Sequence, residues 1–178
     1  MEQINKIFDN FIQEHNLDIA LSFDMPEGYE TAFGTYDPCK KTLFVNKSLF
    51  EGNNILFIFT LFHELWHAKQ YTTPQEFDKD IIDSLKYVVL YNGICYKLIN
   101  NAWQKVQPTK YFDWENVYKS LPYELNANIH AYFLAREYLP SNAMDTLNSI
   151  LAKTKPTSYI SPSTLKEVFE EIDRLTLI

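Results

Sequence analysis

Two histidines four residues apart flank a glutamate in the run His63-Glu64-Leu65-Trp66-His67. On an α-helix, residues four apart lie one turn above each other on the same face. His63 and His67 can therefore offer two imidazole nitrogens to one metal ion. Glu64 points to one side, near enough to take a proton from water at that ion. This is the donor arrangement of a zinc hydrolase that uses Glu64 as its general base. The competing reading is a pair of histidines packed in a core. The chain has four histidines in all, and two of them fall in this pattern on a stretch rich in Phe, Ile and Leu. The metal reading is preferred.

A catalytic zinc takes three protein ligands and keeps one position open. The third ligand is sought downstream, on a helix able to pack against the motif helix. Cys95 sits in an apolar stretch, and Asp78, Asp80 and Asp83 are acids near a helix start, where the helix dipole accounts for them. Glu124 is the best candidate. It begins a helix whose small residues Ala127, Ala131 and Ala135 permit the close approach a carboxylate ligand needs. Asn128, one turn further on, is a candidate to hold a ligand histidine through its second ring nitrogen. The tetrahedral oxyanion of hydrolysis needs a further donor. Tyr71, Tyr123, His130 and Tyr132 are all candidates, with His130 turned away from Glu124 by helical geometry.

The elements that must position these groups follow from periodicity. Ile4, Ile7, Phe8, Phe11 and Ile12 form one stripe of a helix from about Ile4 to His15. Ile19 to Phe23 alternates as a strand, Tyr29–Tyr36 is a second extended piece broken by Gly34, and Thr42–Val45 is a third. These three predict a small antiparallel sheet ahead of the motif helix, which runs from Asn53 or Asn54 to about Tyr71. Thr73, Pro74 and Glu76 suit the N-cap, first and third positions of a further helix reaching toward Trp103. Trp114–Tyr118 reads as a short helical turn. Helices are expected over 124–138, 143–152 and 163–174, the last packed on the same domain.

The expected fold class is thus α+β, mainly helical, in a single domain over residues 1–178, a length sufficient for a substantial core. Net charge is −7 with no basic cluster, which argues against a nucleic-acid partner. No apolar run reaches membrane-spanning length, and the N-terminal residues lack the basic start and apolar run of a signal peptide. Cys39 and Cys95 are far apart and form no C-x-x-C pair, so packed thiols are expected rather than a disulfide or cysteine-metal framework.

The run Phe59-Thr60-Leu61-Phe62-His63-Glu64-Leu65-Trp66-His67, followed by Glu124-Leu125-Asn126-Ala127-Asn128 and the close Tyr138-Leu139-Pro140, resembles the ImmA/IrrE-type metallopeptidases. Leu43-Phe44-Val45-Asn46 is similar to the strand that precedes their motif helix. The resemblance spans roughly Thr31 to Pro140, with its specific part in the two helices. It implies a zincin-like fold of gluzincin type and a zinc-dependent cytoplasmic peptidase of bacteria or their mobile elements, with a protein partner such as a repressor as substrate. The family's metal ligands would fall on His63, His67 and Glu124, holding one zinc per chain, and its general base on Glu64. Two departures stand out: Trp66 occupies a position where the family usually has Gly, and the interval from His67 to Glu124 is long, as if a helix were inserted. The alternative is a peptidase-like metal-binding or regulatory interaction module without proteolytic activity.

Overall fold

The computed structural model describes residues 2–49, 54–90 and 92–176. They form a mainly helical α+β structure with two small three-stranded sheets. The residues fall into two compact units, Met1–Glu76 with Ala127–Ala152, and Phe77–Asn126 with Lys153–Ile178.

In the first unit, helix α1 (Glu2–Glu14) buries Ile4, Ile7, Phe8 and Phe11, the stripe that its 3.6-residue period dictates. Strands β1 (Ala20–Ser22), β2 (Gly34–Asp37) and β3 (Thr42–Val45) form a sheet in the order β1-β3-β2. The sheet is mixed rather than wholly antiparallel. β2 and β3 make an antiparallel hairpin, but β1 runs parallel to β3, Leu21 opposite Leu43. The long segment between β1 and β2 makes this possible, because a parallel neighbour needs a crossover rather than a tight turn. The hairpin turn is closed by Asp37, whose Oδ1 accepts from the backbone N–H of Cys39 and of Lys40.

Helix α2 (Asn54–Thr72) carries the motif; Asn53, the other candidate start, lies outside the described residues. Phe57, Leu61 and Leu65 are fully buried, and Phe62 and Trp66 nearly so. A helix apolar on so much of its circumference belongs inside a core. It ends where Pro74 cannot continue it, and Thr73 bonds back to the carbonyl of Lys69 through both its N–H and its hydroxyl. Helices α5 (Pro122–Tyr138) and α6 (Met144–Thr154) follow later in the chain, and the division between the units falls inside α5, after Asn126. Within the first unit the His130 ring stacks on the Trp66 indole at 3.8 Å and Phe62 meets Tyr138 at 5.2 Å, which sets α5 beside α2. Ala131 and Ala135 are completely buried along α5.

The second unit corrects one expectation. Pro74–Trp103 is not a helix. Pro74–Glu76 is a single 3₁₀ turn, α3 is only Lys79–Ser84, and the chain then makes an antiparallel sheet of β4 (Tyr87–Val89), β5 (Cys95–Ile99) and β6 (Ala102–Val106). The physical reason is local. Gly93, Asn100 and Asn101 all take positive φ, of 78°, 50° and 65°. Asn100 and Asn101 are the two-residue loop between the paired Ile99 and Ala102, the geometry of a tight hairpin whose turn matches strand twist. Helix α4 (Trp114–Lys119) precedes α5, and α7 (Pro162–Thr176) lies on β5 and β6 with Val168 and Ile172 fully buried. Phe169 stacks on Tyr87 at 4.2 Å, and Asp173 receives both the Tyr87 hydroxyl and the Lys97 ammonium at 2.8 Å.

Candidate metal centre

Helix α2 places His63 and His67 one turn apart, as their spacing requires. Their Nε2 atoms face each other at 2.9 Å with the ring planes at 86°. His67 is held from behind, since its Nδ1 lies 2.8 Å from Oε1 of Gln70, a fully buried side chain one turn along. An amide oxygen only accepts, so Nδ1 of His67 is the donor of this pair and Nε2 is the ring atom left to face the site. That is the orientation a metal ligand needs.

The structure brings Glu124, from the first turn of α5, to these two rings. One ligand atom each from His63, His67 and Glu124 lie within 4.8 Å of one another. Ligands bound to a common ion at about 2.0–2.2 Å are separated by roughly 3.3–3.6 Å. The donors therefore close on an ion with side-chain adjustments of about an ångström. Two imidazoles and a carboxylate form a three-ligand set suited to a divalent cation with an open position, so His63, His67 and Glu124 could hold a metal ion. Glu124 and His67 are buried, 5% and 7% exposed, which limits competition from water.

Glu64 is also buried, and the sheet explains how. A Cβ built on Gly34 of β2 would stand 2.8 Å from Cγ of Glu64, 2.8 Å from Cγ2 of Thr60 and 3.1 Å from the Phe44 carbonyl. Gly34 has no positive φ, so its value here is space. The edge strand can approach the Glu64 stem this closely only because position 34 has no side chain.

The remaining candidates are distributed as follows. The Tyr123 hydroxyl donates to the carbonyl of Tyr87 at 3.0 Å in a buried setting, and Tyr132 donates to Asn148 Oδ1 at 2.8 Å. His130 lies flat on Trp66, and burial first, then the Lys69 ammonium, holds its pKa below the usual histidine value. Tyr71 meets Tyr36 of β2 at 6.0 Å. Asn128 is buried, and His67 Nδ1 donates to Oε1 of Gln70. Cys95 is a buried thiol that desolvation pushes up to about 12, so it stays protonated near neutral pH, and neither cysteine is in a disulfide.

Three residues were missed by sequence reasoning. Gln70 had a usable signal, a polar residue three positions after His67 on an apolar helix. Gly34 had a weaker one, a lone glycine interrupting a strand. Tyr118, whose hydroxyl donates to Glu124 Oε2 at 3.2 Å, had none. Besides stacking on His130, Trp66 packs against Phe11 at 6.4 Å and beneath the Lys69 ammonium at 4.8 Å.

No protein-family model, curated protein or solved structure matches the chain. Among the described residues, no helix is long and apolar enough to cross a membrane.

Proposed function

We propose that the chain is a zinc-dependent peptidase of ImmA/IrrE-like type that hydrolyses a peptide bond in a protein partner within the cytoplasm. The observation that carries this reading is the grouping of His63, His67 and Glu124 within 4.8 Å, the two histidines standing on the helix that also presents Glu64. A zinc ion held by these three would polarise the scissile carbonyl and lower the pKa of water at the site. Gln70 keeps His67 in the ligating orientation. Glu64, beside the edge strand, takes a proton from the attacking water and returns it to the departing amine as the C–N bond breaks. Burial of Glu64 is consistent with a base whose surroundings exclude bulk water.

The sheet order supports a route for the substrate. β3 is paired on both sides, whereas β2 is an edge strand passing over Glu64. An extended peptide that adds to β2 would lie alongside the general base. A substrate recognised by strand addition and by side-chain fit is a protein segment, and a narrow range of partners follows, a regulatory protein among them.

The test is elemental analysis of the purified protein beside His63→Ala and Glu124→Ala. About one zinc per chain, lost or greatly weakened in both variants, supports the site. Zinc retained by Glu124→Ala moves the third ligand elsewhere, and none in metal-replete protein ends the enzyme reading. Glu64→Gln then serves as a substrate trap in which metal stays and turnover goes. Stoichiometric zinc with no protein captured and no peptide cleaved would favour the regulatory binding module.

A further inference from the structure

Helix α4 and the residues around it are more firmly anchored than a six-residue connector requires. Asp113 caps the helix, its Oδ1 accepting from the N–H of Asn116 at 3.3 Å and its Oδ2 from the Asn116 amide at 2.7 Å. The Oδ1 of that buried Asn116 accepts in turn from the N–H groups of Thr157 at 2.7 Å and Ser158 at 3.2 Å. Lys119 pairs with Glu115 across one turn at 2.6 Å. On its next side, the N–H of Leu121 bonds to the carbonyl of Tyr118, so that α4 passes into α5 through a closed turn. Asn116 therefore clamps α4 to a distant segment of the same unit. The Tyr118 hydroxyl, two residues on, donates to Oε2 of Glu124.

We propose that Tyr118 is the positioning residue of the metal centre. It orients the Glu124 carboxylate and occupies one of its oxygens, favouring ligation through a single carboxylate oxygen. The inference rests on the metal-site reading above and deepens it. A carboxylate on a short side chain can turn about its last bond and bind an ion through one oxygen or two. A phenol donor fixed on a clamped helix removes that freedom and draws charge from the oxygen it holds, leaving a coordination position open for water. The 3.2 Å separation is at the long end for a phenol–carboxylate pair. Partners of this kind change metal affinity by about 10–100-fold when removed.

The experiment measures zinc affinity by competition with a chromophoric chelator, for the wild type, Tyr118→Phe, Glu124→Ala and the double variant. Tyr118→Phe removes the donor and keeps the ring. Its metal-free unfolding midpoint, measured alongside, should match the wild type. The expected result is zinc affinity about 10–100-fold weaker in Tyr118→Phe and weaker still in Glu124→Ala. In the Glu124→Ala background, Tyr118→Phe should cost less than about twofold more, because the group it acts through is gone. Tyr118→Phe binding zinc as the wild type does, while Glu124→Ala loses it, would overturn the proposal and leave the metal site intact. An equal fall in both backgrounds would also overturn it, by placing the effect in the fold. No zinc bound by the wild type would end the metal-site reading itself.

Discussion

At the scale of single residues, the candidate site depends on groups that carry no chemistry of their own. Gly34 is the sharpest case. A methyl group there would stand 2.8 Å from both Glu64 Cγ and Thr60 Cγ2, and neither β2 nor α2 can retreat without disturbing the sheet or the core. The strain is relieved most easily by turning Glu64. On the peptidase reading proposed above, Gly34→Ala is therefore expected to lower turnover by about 100-fold, the cost of misplacing the proposed general base by about an ångström. Zinc content should remain near one per chain, because the Cβ meets neither histidine nor Glu124 among its nearest atoms. Kinetics on a cleaved peptide beside metal analysis would decide the matter. Zinc lost together with activity would mean that Gly34 shapes the whole helix rather than the space around Glu64.

Between elements, the packing of Trp66 has a pH signature. His130 stacks on it, His15 approaches it edge-on at 6.3 Å, and the Lys69 ammonium lies over it. Burial, and after it Lys69, holds both histidines below the usual value of 6.5, with Glu14 and Glu76 opposing the shift at His15. The unfolded chain then binds more protons than the folded one as pH falls through about 6.5, so these residues withdraw stability on acidification and none above it. His130→Gln should reduce the loss of urea midpoint between pH 7.5 and 5.5 relative to the wild type. An unchanged loss would mean that His130 keeps an ordinary value in the folded chain.

The elements also show what was legible in the chain and what was not. The motif helix was readable from its long apolar run and the four-residue spacing of His63 and His67, and Thr42–Val45 from its β-branched and aromatic residues. Glu124 on an alanine-lined helix was readable because small residues imply close approach. The interval 74–103 misled because Ile81, Leu85, Val88, Tyr96 and Ile99 also fit one helical face. The turn chemistry at Gly93 and Asn100-Asn101 outweighs that period. The parallel pairing of β1 was invisible, as register between distant strands leaves no local mark. The same turn makes a prediction. Asn101 sits at φ 65°, where Asn is tolerated and a β-branched residue is not. Asn101→Val should cost about 1–2 kcal/mol in urea unfolding, while Asn101→Gly should be neutral or slightly stabilising. Equal stability of the two variants would mean that the hairpin loop relaxes freely.

For the molecule as a whole, metal and folding are expected to be linked. His63 and His67 lie on one helix, but Glu124 is far from them in sequence, so the three donors converge only when the chain is folded. An ion bound there adds its binding free energy to that of folding, because the unfolded chain has no comparable site. Charge works in the same direction. The chain carries −7 overall, and two buried carboxylates, Glu64 and Glu124, stand on the helices that bear the donors. A divalent cation held there would offset part of the cost of burying these carboxylates. At free zinc a thousandfold above its dissociation constant, the folded state should gain about 4 kcal/mol. For a chain of this size that corresponds to a rise in Tm on the order of 10 °C. Scanning calorimetry after exhaustive chelation, and again after zinc is restored, would measure the gain. Glu124→Ala, scanned in the same way, should lose most of it while unfolding near the metal-free wild type. A zinc-dependent shift of full size in Glu124→Ala would place the stabilising ion at other donors. No shift in the wild type would mean that the folded chain holds zinc no better than the unfolded one, and the three convergent side chains would then be packing partners rather than ligands.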